Sequence, residues 1–449
     1  MNLVVTAATA VEQSARRRIA LRLLPFLWLL YVIAFLDRVN VAYGALEMSQ
    51  DLGFSDRVFG LGAGIFFVGY VLLEIPGAIL VERWSARRWI ARIMISWGII
   101  TAMVGFVHTS RQFYTVRFLL GAAEAGFFPG VIVYLTHFFT QRDLAKAVAS
   151  FFAALPLANF IGAPLAARIL RIHWYGFEGW RWLFILEGVP AVILGIATLF
   201  YLTDWPQQAK WLAKEEREWI IGELQREKRE KSLVRSYTIL QALRQRDVLI
   251  LTLVYFFSVT GYYGFVMWFP TILKRGSGFS VALVALLAAI PYAAGLLANL
   301  ANGWHSDRTQ ERRWHTAGVL FGASVSLLLA IVYSSHFFVQ LGFFTLFAAC
   351  VHSFQAPFWA LPTLTLGESA AAAAIGLINS LGNLGGFVGP FIVGYLATRT
   401  GTFTSGMAWL LLSLLLSGFL VLSLPSRTRR SESPDPGNAS VHAAESSGH

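Results

Sequence analysis

The chain has 449 residues, of which one is cysteine and 14% are charged. A single thiol, Cys350, cannot close an intrachain disulfide, and inside an apolar stretch it reads as a packing residue. Soluble domains carry about 25% charged residues. So low a share, with 56% hydrophobic residues, excludes an ordinary water-soluble fold and requires a surface that faces lipid. The nine histidines form no H-E-x-x-H pair and no Cys/His cluster, so no metal site is expected. No glycine run matches a dinucleotide fingerprint or a P-loop. No cofactor is therefore expected, and any energy source has to be an ion gradient or the substrate's own. Residues 1–22 lack a long apolar core ahead of Arg16, Arg17 and Arg18, so a cleavable signal peptide is not expected. The first apolar span is itself the membrane-insertion signal.

What the chain does have is long apolar runs. Crossing about 30 Å of hydrocarbon takes about 20 apolar residues, and twelve such spans can be placed: 23–44, 58–81, 89–108, 114–139, 146–170 and 181–203, then 248–273, 281–303, 316–335, 338–362, 371–398 and 405–424. The expected fold class is an all-α membrane protein with twelve transmembrane helices in two six-helix halves. The expected organisation is an N-terminal segment 1–22, a first bundle 23–203, a linker 204–246, a second bundle 247–424 and a disordered tail 425–449 rich in Ser, Pro and Gly. In the linker, Trp211, Leu212, Trp219, Ile220 and Leu224 recur at helical spacing among charges, the pattern of an amphipathic helix on a membrane surface, with a solvated charged linker as the alternative. The net charge of +11 could suggest nucleic acid, but its distribution does not. With both termini inside, most Lys and Arg fall in cytoplasmic segments, as the positive-inside rule requires.

The two halves carry a repeat. Glu82-Arg83-x-x-x-Arg87-Arg88-Trp89 returns as Asp307-Arg308-x-x-x-Arg312-Arg313-Trp314, each copy a basic turn after an apolar span. Duplicated membrane bundles are the architecture of transporters.

Six ionisable residues within the spans stand out as candidates: Asp37, Arg38, Glu74, Arg117, Glu124 and Glu187. Charge inside a bilayer is costly and asks for a reason. At about 1.5 Å rise per residue, Asp37 and Glu124 fall at similar depth on helices that run oppositely. Arg117 and Glu124 are seven apart and share a helix face, so two acids and two arginines can converge. An ion-pair network that only fixes helix packing is the alternative. Glycines cluster in spans 2, 4, 5 and 11, where they suit close packing or bending.

Three stretches resemble the anion:cation symporters of the major facilitator superfamily: Leu36-Asp37-Arg38-Val39-Asn40, the run from Arg117 through Glu124 to Pro129-Gly130, and Gly179-Trp-Arg-Trp-Leu-Phe-Ile-Leu-Glu187-Gly. The resemblance covers nearly the whole chain. It implies a central cavity lined mainly by spans 1, 4, 7 and 10 and open to one side at a time. By the same resemblance Asp37 and Glu124 look like proton-carrying acids, Arg38 like the substrate-carboxylate anchor, and Arg117 like the partner controlling their protonation. The basic turns, Glu82, Arg83, Arg87 and Arg88 with Asp307, Arg308, Arg312 and Arg313, resemble a cytoplasmic gate. The first copy departs from the usual pattern at Glu82 and Ser85.

Residue chemistry argues in parallel. Arg offers a carboxylate a planar two-pronged fork that stays charged, and a buried carboxyl can titrate and so couple a proton to it. Polar and aromatic residues on spans 2, 7, 10 and 11 complete the candidate substrate site: Tyr70, Tyr262, Tyr263, Gln355, Trp359, Asn379 and Asn383. Aromatic walls with polar tips suit an aromatic acid or the apolar face of a sugar acid. The expectation is a monomeric, proton-coupled symporter of a small organic anion in a bacterial inner membrane, with protons and lipid as its partners. An exchanger or facilitator of the same anions is the alternative, and an enzyme is not expected.

Overall fold

The computed structural model describes residues 2–152, 154–232, 245–365 and 368–425. The tail beyond 425 and linker residues 233–244 lie outside that set. Where a chain faces lipid, backbone polar groups must bond within the segment, and the described residues are accordingly helical. In order they are α1 (Asn2–Asp51), α2 (Asp56–Arg83), α3 (Ala86–Val104), α4 (Ser110–Glu124), α5 (Phe127–Thr136), α6 (Gln141–Phe152), α7 (Ala154–Ile169), α8 (Gly179–Tyr201) and α9 (Lys214–Ser232). There follow α10 (Arg246–Ser277), α11 (Val281–Thr309), α12 (Arg313–Val332), α13 (Phe337–Ser353), α14 (Gln355–Thr365), α15 (Glu368–Gly382), α16 (Gly385–Thr400) and α17 (Thr404–Leu422).

Among the described residues, ten helical stretches are long and apolar enough to cross a membrane. The two remaining expected spans are helical as well: span 3 is α3, and span 5 is the α6–α7 pair. Caps set the ends. Ser55 and Ser85 accept from Val58 N and Arg88 N, and Thr109 forms a capping box with Gln112, each satisfying amides that a helix start leaves free. Turns at 52–55, 105–109, 170–178, 278–280, 333–336 and 401–403 share one end of the bundle, here called the far end. Those at 84–85, 137–140, 202–213 and 310–312 share the end where α1 begins.

Within the first half of the chain α2 packs on α4, α3 on α8, and α1 on α7 and α8; in the second, α10 packs on α16 and α17, α11 on α13, and α12 on α17. Across the halves α16 packs on α2, α11 on α7 and α10 on α1. The approach of α2 to α4 depends on glycine. A Cβ added at Gly121 would stand 1.8 Å from the Phe66 carbonyl oxygen, so only a residue without one lets the backbones meet. The linker helix α9 docks on α1: Ile220 is buried and Trp219 and Leu224 are partly so, so part of its apolar face is covered by the protein itself rather than by lipid.

Candidate transport site

About three-quarters of the way along α1, successive side chains point to different sides, and the pair Asp37 and Arg38 separates accordingly. Arg38 reaches the centre of the molecule. Its Nη2 donates to Glu124 Oε1 and its Nη1 to the Tyr263 hydroxyl at 3.2 Å, while the guanidinium lies over the Phe35, Phe66 and Tyr70 rings at 5.0, 5.3 and 5.2 Å. Cation–π contact and a carboxylate partner together replace the water that the cation has left. Each group keeps a spare atom, since Arg38 Nε and Glu124 Oε2 are buried with no partner.

Around this pair lies a cavity of about 60 Å³ lined by Arg38, Glu124, Tyr70, Tyr262, Tyr263, Gln355, Trp359, Asn379 and Asn383. All eight residues expected to bind substrate therefore come together, with Glu124 among them. The volume suits a few waters, whereas ligand pockets hold roughly 300 Å³ or more, so admitting an organic anion requires the walls to part. Glu124 owes its position to a break in the helix. α4 stops at Glu124, Gly126 takes a left-handed φ of +82°, and α5 restarts at Phe127. Glycine alone adopts that conformation freely.

The other expected members stand apart. Asp37 is buried behind the cavity wall, accepting from Trp97 Nε1 and from Thr101 Oγ1 at 2.8 Å. Arg117 lies in the α2–α4 seam, donating to the Gly62 and Ala63 carbonyl oxygens at 3.3 and 3.4 Å, with its guanidinium 4.9 Å from the Phe66 ring. Of the four converging charges, the ion pair that forms in this structure is Arg38–Glu124. Glu187 accepts from Asn40 and ties α8 to α1. Glu74 accepts from Asn379 Nδ2 at 2.5 Å, a bond between the halves.

The described residues of each basic turn find their partners without crossing to the other half. Arg87 meets Asp204, through its backbone N at 3.0 Å and its Nε at 3.6 Å, and the Leu199 carbonyl. Asp307 pairs with Arg312 at 2.6 Å, Arg308 lies over Trp304, and Arg313 donates to Leu422 O. Arg88 is exposed, and the side chains of Glu82 and Arg83 lie outside the described set. At the far end the ties do cross the halves: Arg275 grips Asp56 with two bonds of 2.5 and 2.8 Å, and Arg57 N donates to Thr398 Oγ1 at 2.9 Å.

Several cavity residues escaped the sequence reading, notably Tyr31, Phe127 and Tyr255. Tyr31 and Tyr255 stand seven positions before Arg38 and Tyr262, two helical turns away on the same face, and that spacing could have found them. Asn159 was missed as well; its Nδ2 donates to the Tyr262 hydroxyl at 3.1 Å across the halves.

The Major Facilitator Superfamily model matches residues 27–390 and 278–444. The chain belongs to that superfamily. As a member of it, the protein is a multi-pass membrane transporter rather than an enzyme. It is 44% identical over 419 residues to a "Putative tartrate transporter" of Agrobacterium vitis, covering 93% of this chain and 96% of that one. It is 36% identical over 420 residues to a "Quinolone resistance transporter" of Acinetobacter baumannii, covering 93% and 96%. The superfamily fold is seen again in a bacterial homologue of the human lysosomal transporter Spinster, solved in an inward-facing, unoccupied conformation: TM-score 0.71, 17% identity, 91% of this chain and 95% of that one.

Proposed function

We propose that this transporter carries a small organic carboxylate into the cell together with protons, by alternating access between two six-helix halves, 23–203 and 247–424. The observation that carries the reading is the Arg38–Glu124 pair inside an aromatic cavity. An arriving carboxylate competes with Glu124 for the same guanidinium. A proton on Glu124 removes the competitor, so proton and anion favour each other's binding, and linkage makes the effect mutual. Likeness to the "Putative tartrate transporter" supports a carboxylate as the cargo.

Asp37 has a different place in this scheme. Held by Trp97 and Thr101 away from the cavity, it acts on the site through α1. The basic turns serve as the latch of the outward-facing state, in which the end where α1 begins, taken as cytoplasmic, must close.

The test is uptake of radiolabelled tartrate and related hydroxy, sugar and aromatic acids into proteoliposomes, with and without an inside-alkaline gradient. The wild type accumulates one of them when the gradient is present. Glu124→Gln, fixed in the neutral form, loses gradient-driven accumulation and keeps counterflow exchange. Equal accumulation by wild type and Glu124→Gln would overturn proton coupling through this acid and leave a facilitator or exchanger.

A further inference from the structure

A second recess, of about 560 Å³, opens on the surface where α1 enters the bundle. It is lined by Ser14, Arg17, Arg18, Leu21, Arg22, Tyr201 and Trp211. Three of its seven residues are arginines, and among the described residues no acid lines it. Arg17 is exposed and makes no ion pair among the described residues. Arg18 reaches out to Glu216 at 3.1 Å, whose oxygens are already engaged by Ser14 Oγ at 2.6 Å and Ala213 N at 2.9 Å. The Arg22 guanidinium stands 4.6 Å from the Tyr201 ring and 5.3 Å from the Trp211 ring.

Two N–H donors of these lining residues, Arg22 Nε and Trp211 Nε1, are buried without any acceptor. Leaving a buried donor unpaired costs roughly 1–3 kcal/mol. A site with cations, spare donors and no carboxylate in its lining calls for an anion that brings several oxygens.

We propose that this recess binds the phosphate headgroup of an anionic phospholipid. Its depth argues for a lipid over a free ion. The recess lies between the charged turn 16–18 and the apolar run beginning at Leu23, the level at which headgroups sit. Leu21, 65% exposed, offers an apolar edge for the acyl chain, and Tyr201 and Trp211 are the aromatic types that favour the interface. Its other wall includes Trp211 of the segment after α8, so the headgroup would bridge α1 to the start of the linker.

The full chain is placed in phosphatidylcholine nanodiscs with and without phosphatidylglycerol, and thermal stability is measured alongside lipid retention by native mass spectrometry. Phosphatidylglycerol raises the melting temperature of the wild type and is retained over phosphatidylcholine. Arg17→Gln, at an exposed side chain outside any described ion pair, weakens that preference about fivefold, the effect of one surface charge on an anionic lipid. Trp211→Phe, which removes a donor and keeps the ring, weakens it too. Equal retention of both lipids, or a wild-type preference that survives both substitutions, overturns the proposal. Inorganic phosphate stabilising the protein in phosphatidylcholine as much as phosphatidylglycerol does would assign the recess to a soluble anion instead.

Discussion

On the proposed function, a guanidinium that must seize an arriving carboxylate cannot wait unpaired inside a membrane, and Arg38 waits on Glu124, Tyr263 and three aromatic rings. Charge-assisted hydrogen bonds contribute about 1.5–3 kcal/mol each, so Arg38→Ala is expected to weaken anion binding by about a hundredfold or more. Arg38→Lys keeps the charge but loses the fork and recovers only part. Equilibrium binding of the transported acid to purified variants checks both. A Tyr263→Phe variant, which deletes one hydroxyl partner of the guanidinium at 3.2 Å, is expected to change affinity by about tenfold, the lower end of that range. Arg38 and Glu124 were legible in the sequence because charge in an apolar span is rare and therefore conspicuous. Tyr31 and Tyr255 were not, because an aromatic residue in such a span is ordinary and only the fold tells a cavity wall from a lipid-facing side chain.

Between elements, close approach and surface pairing play unequal parts. The α2–α4 seam holds both Arg117 and the ladder leading to Glu124, and it closes only because Gly121 has no side chain. Gly121→Val is expected to lower stability by several kcal/mol, beyond the 1–3 kcal/mol of ordinary overpacking, and to show as a large drop in melting temperature or in yield of folded protein. By contrast α1 is tied to α6 by a partly buried pair, with Arg16 Nε and Nη2 each 2.6 Å from an Asp143 oxygen. Hydrogen bonding from Arg16 holds the Asp143 carboxyl below its ordinary value. With a depressed folded-state value, the stabilisation is present above about pH 4, the unfolded value, and is lost as pH falls through the folded one. Solvent screening limits it to about 1 kcal/mol. Acid titration of thermal stability should therefore show a small loss below about pH 4 that is absent in Asp143→Asn. Helix positions were readable from hydropathy, and the glycines announced close packing. Which helices meet across the halves was not readable, since an apolar face looks the same whether it meets lipid or another helix.

For the molecule as a whole, the described ties that cross the halves at the far end, Asp56–Arg275 and Arg57–Thr398, set one face against opening, while no described bond of the basic turns crosses the halves. Arg275→Gln is expected to raise the population open at the far end. With Cys350 replaced by Ala, a cysteine at Phe387, which packs on Gly64 between α2 and α16, should then label about two- to fivefold faster, the effect of one surface pair. Unchanged labelling would assign that closure to apolar packing alone. The duplicated turns were visible in the sequence; their present partners were not, because Asp204 and Leu199 are remote in sequence and unmarked by any motif. In the proposed mechanism the Arg38–Glu124 contact has a kinetic side as well. Glu124 is a tethered competitor, present at the guanidinium at an effective concentration far above that of a dissolved acid. It lowers the apparent affinity for cargo, and it hastens release by taking back the guanidinium as the anion departs. A carrier built this way gives up tight binding in exchange for turnover.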